Sequence, residues 1–132
     1  MPASIAFEAL QLSLGGDVAG ALALLRAAQE NAPLDESALS LLFKLLYDVG
    51  PSDEAFTVSP ELLAVCTAGL VLAKRPIAMS TWHLRRGLLH LAGGQRVDAV
   101  KDLLAVLKLQ ASVDHRDQAQ KALLRAAGLP KA

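Results

Sequence analysis

The sequence predicts an all-α fold, and three observations carry that prediction. Leucine and alanine dominate a chain that is 53% apolar, while β-branched residues are sparse and scattered. That balance favours helix over sheet. Helix starts and stops recur along the whole length, as Ser or Asp ahead of apolar runs and Gly or Pro behind them. Finally, GGDVAGAL from Gly15 to Leu22 returns 78 residues later as GGQRVDAV from Gly93 to Val100. A Gly-Gly pair, four variable residues, an alanine and an aliphatic residue, written twice, suggest a helix–turn–helix unit used more than once.

The caps and breakers give seven helices. Helix one runs from about Ser4 to Leu14 and stops at Gly15-Gly16. Helix two takes Asp17 as its N-cap and ends near Asn31, before Pro33. Asp35 caps helix three, Glu36 to Val49, which stops at Gly50-Pro51. Residues 50–59 are turn-rich and read as a loop with one short helical turn. Ser59-Pro60-Glu61 combines an N-cap, a proline at the first helical position and an acid in the first turn, so helix four starts there and reaches about Lys74. Ser80 is the expected cap of helix five, which ends at Ala92 before Gly93-Gly94. Helix six covers about Arg96 to Leu109. Helix seven begins near Ser112 or Asp114 and stops at Gly128. No segment reads as a strand.

A chain of 132 residues fits one domain with its own core. The single cysteine, Cys66, excludes an internal disulfide framework and fits a reducing, cytoplasmic setting. The N-terminus has no basic region and carries Glu8 early, unlike a secretory signal. The most apolar run, Leu62 to Ala73, is too short to span a bilayer and suits a buried helix. A net charge of zero conceals an asymmetry: residues 1–66 hold nine acids against two bases, and residues 67–132 hold eleven bases against four acids. The two halves attract each other, or steer a charged partner or a second copy of the chain.

Extending the two glycine stretches outward lengthens the match. Leu10 pairs with Leu88, Ala9 with Gly87, Ala21 with Ala99 and Leu25 with Leu103. The small residue lets two helices approach, the glycine permits the tight turn, and the alanine and leucine sit where the second helix meets the first. This pattern resembles the tetratricopeptide repeat, a 34-residue helix–turn–helix unit. The resemblance implies repeats over about residues 2–35, 36–79 and 80–113. A loop insertion of about ten residues near 50–59 accounts for the 78-residue spacing, and a capping helix covers about 114–128. It implies a superhelix of antiparallel helix pairs with a partner groove along the first helix of each repeat. The family's groove positions fall here on Ala3, Ala6, Leu10 and Ser13; on Ser37, Ser40, Lys44 and Tyr47; and on Thr81, Leu84, Leu88 and Leu91. The family's aromatic signature positions mostly carry Leu or other residues in this chain.

Catalysis finds no constellation in the sequence. Cys66 lies in the most apolar helix with no charge close in sequence to form a thiolate, which marks a buried structural thiol. His83 and His90 share a face of helix five but stand about 10 Å apart along its axis, too far to share a metal ion without another ligand between them. His115, among Asp114, Arg116 and Asp117, reads as solvated. The glycines at 15–20 lack the Lys and Ser/Thr of a phosphate loop. No cofactor or metal is implied, and the expectation is a protein that is not an enzyme. Lys74, Arg75, Arg85, Arg86 and Arg96 could make a basic patch with Trp82 available to stack, but no basic–aromatic interleaving recurs and the pI is near 6.8. Nucleic-acid association through the basic half is therefore the third reading.

A protein-binding module ranks first. In the resemblance, the groove residues Leu10, Ser40, Lys44, Tyr47, Thr81, Leu84, Leu88 and Leu91 are largely apolar. They lack the basic clamp that grips a partner's terminal carboxylate, where Lys44 alone matches. Such a groove suits an amphipathic helix or an extended apolar segment of a partner protein. Small helical chaperones of bacterial secretion apparatus are similar in size and character. The second reading is a structural subunit whose apolar surface is permanently buried in a homodimer or larger complex. In it, Leu84, Leu88 and Leu91 are core, covered by helix seven or by a second protomer.

Overall fold

The computed structural model describes residues 4–48 and 60–128. Among them are seven helices and no strand: α1 Ile5–Leu14, α2 Val18–Asn31, α3 Glu36–Asp48, α4 Pro60–Leu72, α5 Pro76–Ala92, α6 Arg96–Leu109 and α7 Val113–Ala126. Pro2, Ala3, Val49, the expected loop at 50–59 with its Ser59 cap, and Leu129-Pro130 lie outside the described residues. The chain forms two compact units, Met1–Gly50 and Pro51–Ala132.

The first unit holds α1, α2 and α3. Ser4 caps α1 by accepting from the Phe7 amide at 3.0 Å, and Asp17 caps α2 by accepting from the Gly20 amide at 2.9 Å. Asp35 does the same for α3 through the Ala38 amide at 2.9 Å. Each cap satisfies one of the donors that a helix start leaves open. α1 packs on α2, α2 on α3, and α1 on α3. Ala9, Ala21, Leu25 and Leu42 have no exposed surface.

In the second unit α5, α6 and α7 repeat that scheme, first on second, second on third and first on third, while α4 packs on α5. Leu84, Ala99, Leu103, Val106, Ala119 and Ala122 form its core, with Leu88, Leu91, Leu107 and Leu123 packed at the edge. Two pairings read from the extended match fall on second helices and are buried on both sides: Ala21 with Ala99, and Leu25 with Leu103. A packing pattern used twice is consistent with a helical repeat arrangement.

The two turns are the same turn. After α1, the Gly16 amide donates to Ser13 O and the Asp17 amide to Leu12 O; after α5, the Gly94 amide donates to Leu91 O and the Gln95 amide to His90 O. These are Schellman motifs, whose C′ residue must be left-handed. Gly16 has φ +92° and Gly94 φ +78°.

One boundary needs correction. α5 starts at Pro76 with Arg75 as N-cap, not at Ser80. Proline at the first helical position lacks only a donor that would have no helical partner there. Ser80 is fully buried inside the helix, and its hydroxyl shares a hydrogen bond of 2.9 Å with His115 Nδ1 from α7. The expected third-repeat start at residue 80 therefore falls within a helix. α4 ends at Leu72, two residues short of the expected Lys74.

Candidate functional site

Two features of the second unit gather polar chemistry. The first lies between α5 and α6. A Cβ at Gly87 would stand 3.0 Å from Leu103 Cγ and 3.2 Å from Asp102 Cβ, so the glycine lets α6 come close. Asp102 then reaches across α5 between side chains at positions 83, 86 and 90, which share one face. His83 Nδ1 lies 2.8 Å from Asp102 Oδ1, while Arg86 donates Nε to Oδ2 and Nη2 to Oδ1, each at 2.8 Å. His90 Nε2 stands 3.9 Å from Oδ2, and its Nδ1 donates to Gln95 Oε1 at 2.6 Å. Arg86 Nη1 also donates to Thr67 Oγ1 of α4 at 3.3 Å.

The Asp102 side chain is only 6% exposed. Burial alone would raise its pKa, but hydrogen bonds from Arg86 and His83 outweigh burial and hold the carboxyl below its ordinary 3.8. An ionised carboxylate only accepts, so His83 Nδ1 carries the proton of that bond. The bidentate Arg86–Asp102 pair raises the pKa of Arg86 in turn. The group clasps α4, α5 and α6 together. Cys66 is buried nearby in α4, and burial pushes its thiol up to about 12, against smaller downward pulls from Arg85 and Arg86. A thiol in that state is a poor nucleophile. Among the described residues no group of three or more His, Cys, Asp or Glu side chains is placed to hold a metal ion.

Sequence reasoning placed His83 and His90 on one face but missed Asp102, the carboxylate between them. The available signal was an acid at 102 on the same side of α6 as Ala99, Leu103 and Val106. His115 is half-buried and bonded to Ser80 rather than solvated. Trp82 is 2% exposed, lies against Gly69 and is covered by the Arg85 guanidinium 4.6 Å from its ring centroid. Trp82, available to stack in the nucleic-acid reading, is thus packed inside the second unit, and Arg86 is engaged with Asp102.

The second feature is a depression of about 560 Å³ between α5 and α7. Leu88 of α5 and Leu124 of α7 give it apolar surface, and Asp117, Gln118, Gln120, Lys121 and Arg125 of α7 line it with polar groups. Lys121 pairs with Asp117 at 3.1 Å. Arg125 has no partner among the described residues. A shallower hollow borders Leu104, Lys101 and Lys108, but α6 alone supplies its lining.

The expected groove residues divide. In the second unit Leu84 is 5% exposed, within the core. Leu88 opens onto the depression. Leu91 is half-buried at the core edge, and the half-buried Thr81 donates its hydroxyl to Ile77 O at 2.9 Å. In the first unit Leu10 and Tyr47 are 41% and 55% exposed, Lys44 is exposed and Ser40 half-buried. The Tyr47 ring stacks on Phe43 at 5.9 Å.

No protein-family model matches the chain, and no curated protein or solved structure matches it. Among the described residues no helix is long and apolar enough to cross a membrane.

Proposed function

We propose that the chain is a non-catalytic protein-interaction module, an adaptor or small chaperone, that seats a helical apolar segment in the depression between α5 and α7. One observation carries the reading: Leu88, a groove position in the tetratricopeptide resemblance, lines an open depression together with Leu124 and the charged side chains of α7. Apolar surface with a polar rim is the usual make-up of a helix-binding groove. A cytoplasmic workplace belongs to the same reading.

The test uses a fluorescently labelled amphipathic peptide with a Leu/Ala face and an acidic polar face, titrated by anisotropy. Binding in the micromolar range is expected, weakened about ten-fold or more by Leu88→Ala, as for a central apolar anchor worth ~1.4 kcal/mol. Leu84→Ala separates seat from core: it should cost about 2–5 kcal/mol of stability, as for a packed leucine. Leu88→Ala should cost clearly less. No binding by the wild-type chain, or binding indifferent to Leu88→Ala, overturns the proposal.

A further inference from the structure

We propose that the depression between α5 and α7 seats helix α1 of a second copy of this chain. The inference rests on the reading above and names the segment that fills the site. Packing within the first unit buries Ala9 completely and leaves Phe7, Leu10 and Leu14 at 53%, 41% and 79% exposure. Spacings of three and four residues put these side chains on one stripe, with Ala9 on the opposite side of the helix. Three large apolar side chains aligned on one exposed face mark an interaction surface more than scattered ones would. The dimensions agree: Phe7 to Leu14 spans about 10 Å along a helix axis, and Asp117 to Arg125 about 12 Å.

Charge selects a second copy as the occupant. α1 carries Glu8 and no base. The first unit holds six acids against two bases, and the second seven acids against eleven bases. In the lining of the depression Lys121 is shared with Asp117, but Arg125 is free of partners among the described residues. An acidic unit presenting an apolar helix therefore meets a basic unit presenting an apolar seat. The contact uses different surfaces on the two copies, so each copy keeps one unused helix and one unused seat. Association is then head-to-tail, closing into a ring or running on as a chain.

The experiment is sedimentation velocity on the full chain over a range of concentrations and salt. Leu10→Glu with Leu14→Glu spoils the helix face at exposed positions, and Lys121→Glu with Arg125→Glu turns the lining of the seat acidic. Far-UV circular dichroism checks that both variants keep their helices. The wild-type mass should rise past a dimer with concentration and fall as salt screens the charges. Each variant alone should be monomeric. An equal mixture should form a one-to-one dimer and stop there, since it retains one good helix face and one good seat. A wild-type chain that stays monomeric, a variant that still associates alone, or a mixture that stays monomeric overturns the proposal. The labelled peptide separates the two readings. A monomeric wild type that binds the peptide overturns the second-copy inference and leaves the binding module standing, and one that does neither overturns both.

Discussion

Asp102 places a negative charge on the apolar side of α6, beside Ala99, Leu103 and Val106. Such a charge is tolerable in a core only when its oxygens are fully engaged, and Arg86 and His83 engage both. Asp102→Ala removes the acceptor and leaves the half-buried Arg86 guanidinium without its partner. It should cost about 1–3 kcal/mol, the range for leaving a partly buried polar group without its hydrogen-bond partner, measured by urea unfolding. The pH dependence has a definite sign. The folded carboxyl titrates below its unfolded value of 3.8, so the unfolded chain takes up the proton first as pH falls. The clasp's contribution is therefore full above that value and is lost below it. The stability gap between wild type and Asp102→Asn should narrow as pH falls from about 5 to 3; a gap that widens over that window contradicts the assignment. The clasp itself was only half legible in the sequence. Residues 83, 86 and 90 share a face by helical spacing alone, but their partner stands on the next helix, and only folding brings it across Gly87.

At the scale of the element, the chain's local signals set most helix ends. Ser4, Asp17, Asp35 and Ser112 all cap as their chemistry dictates, because an N-cap is satisfied within three residues of itself. Ser80 misled for the converse reason: its hydroxyl serves a histidine 35 residues away, and Pro76 was the true start signal. The paired glycine turns can be tested together. A Cβ at Gly16 or Gly94 would meet nothing within 4 Å, yet both residues have positive φ. Substitution there strains the backbone without a clash. Gly16→Val and Gly94→Val should each destabilise by about 1–2 kcal/mol, since a β-branched residue is disfavoured in the left-handed region. Asn at the same positions should recover much of the loss, because it tolerates that conformation. Thermal midpoints unchanged by valine, or equal for Val and Asn, would show that the turns do not depend on their glycines.

For the whole molecule, length and composition suggest one domain, while the structure divides into two compact units. Caps and apolar spacing report local order, whereas a unit boundary is a property of contacts between distant residues. The units are unequal. The first is near the size at which a helical core becomes marginal, and its buried side chains are almost all Ala and Leu. The second is larger and adds a buried tryptophan and the Asp102 clasp. Trp82 is the chain's only tryptophan, so its fluorescence reports the second unit alone, while far-UV circular dichroism reports helices of both. Under increasing urea the helical signal should begin to fall before the Trp82 emission shifts, as the first unit unfolds ahead of the second. Noncoincident probes are the standard sign that unfolding is not all-or-none. Asp102→Ala should then draw the Trp82 transition toward lower urea and leave the early part of the helical transition in place. Coincident wild-type curves that move together in the variant would mean that the two units unfold as one.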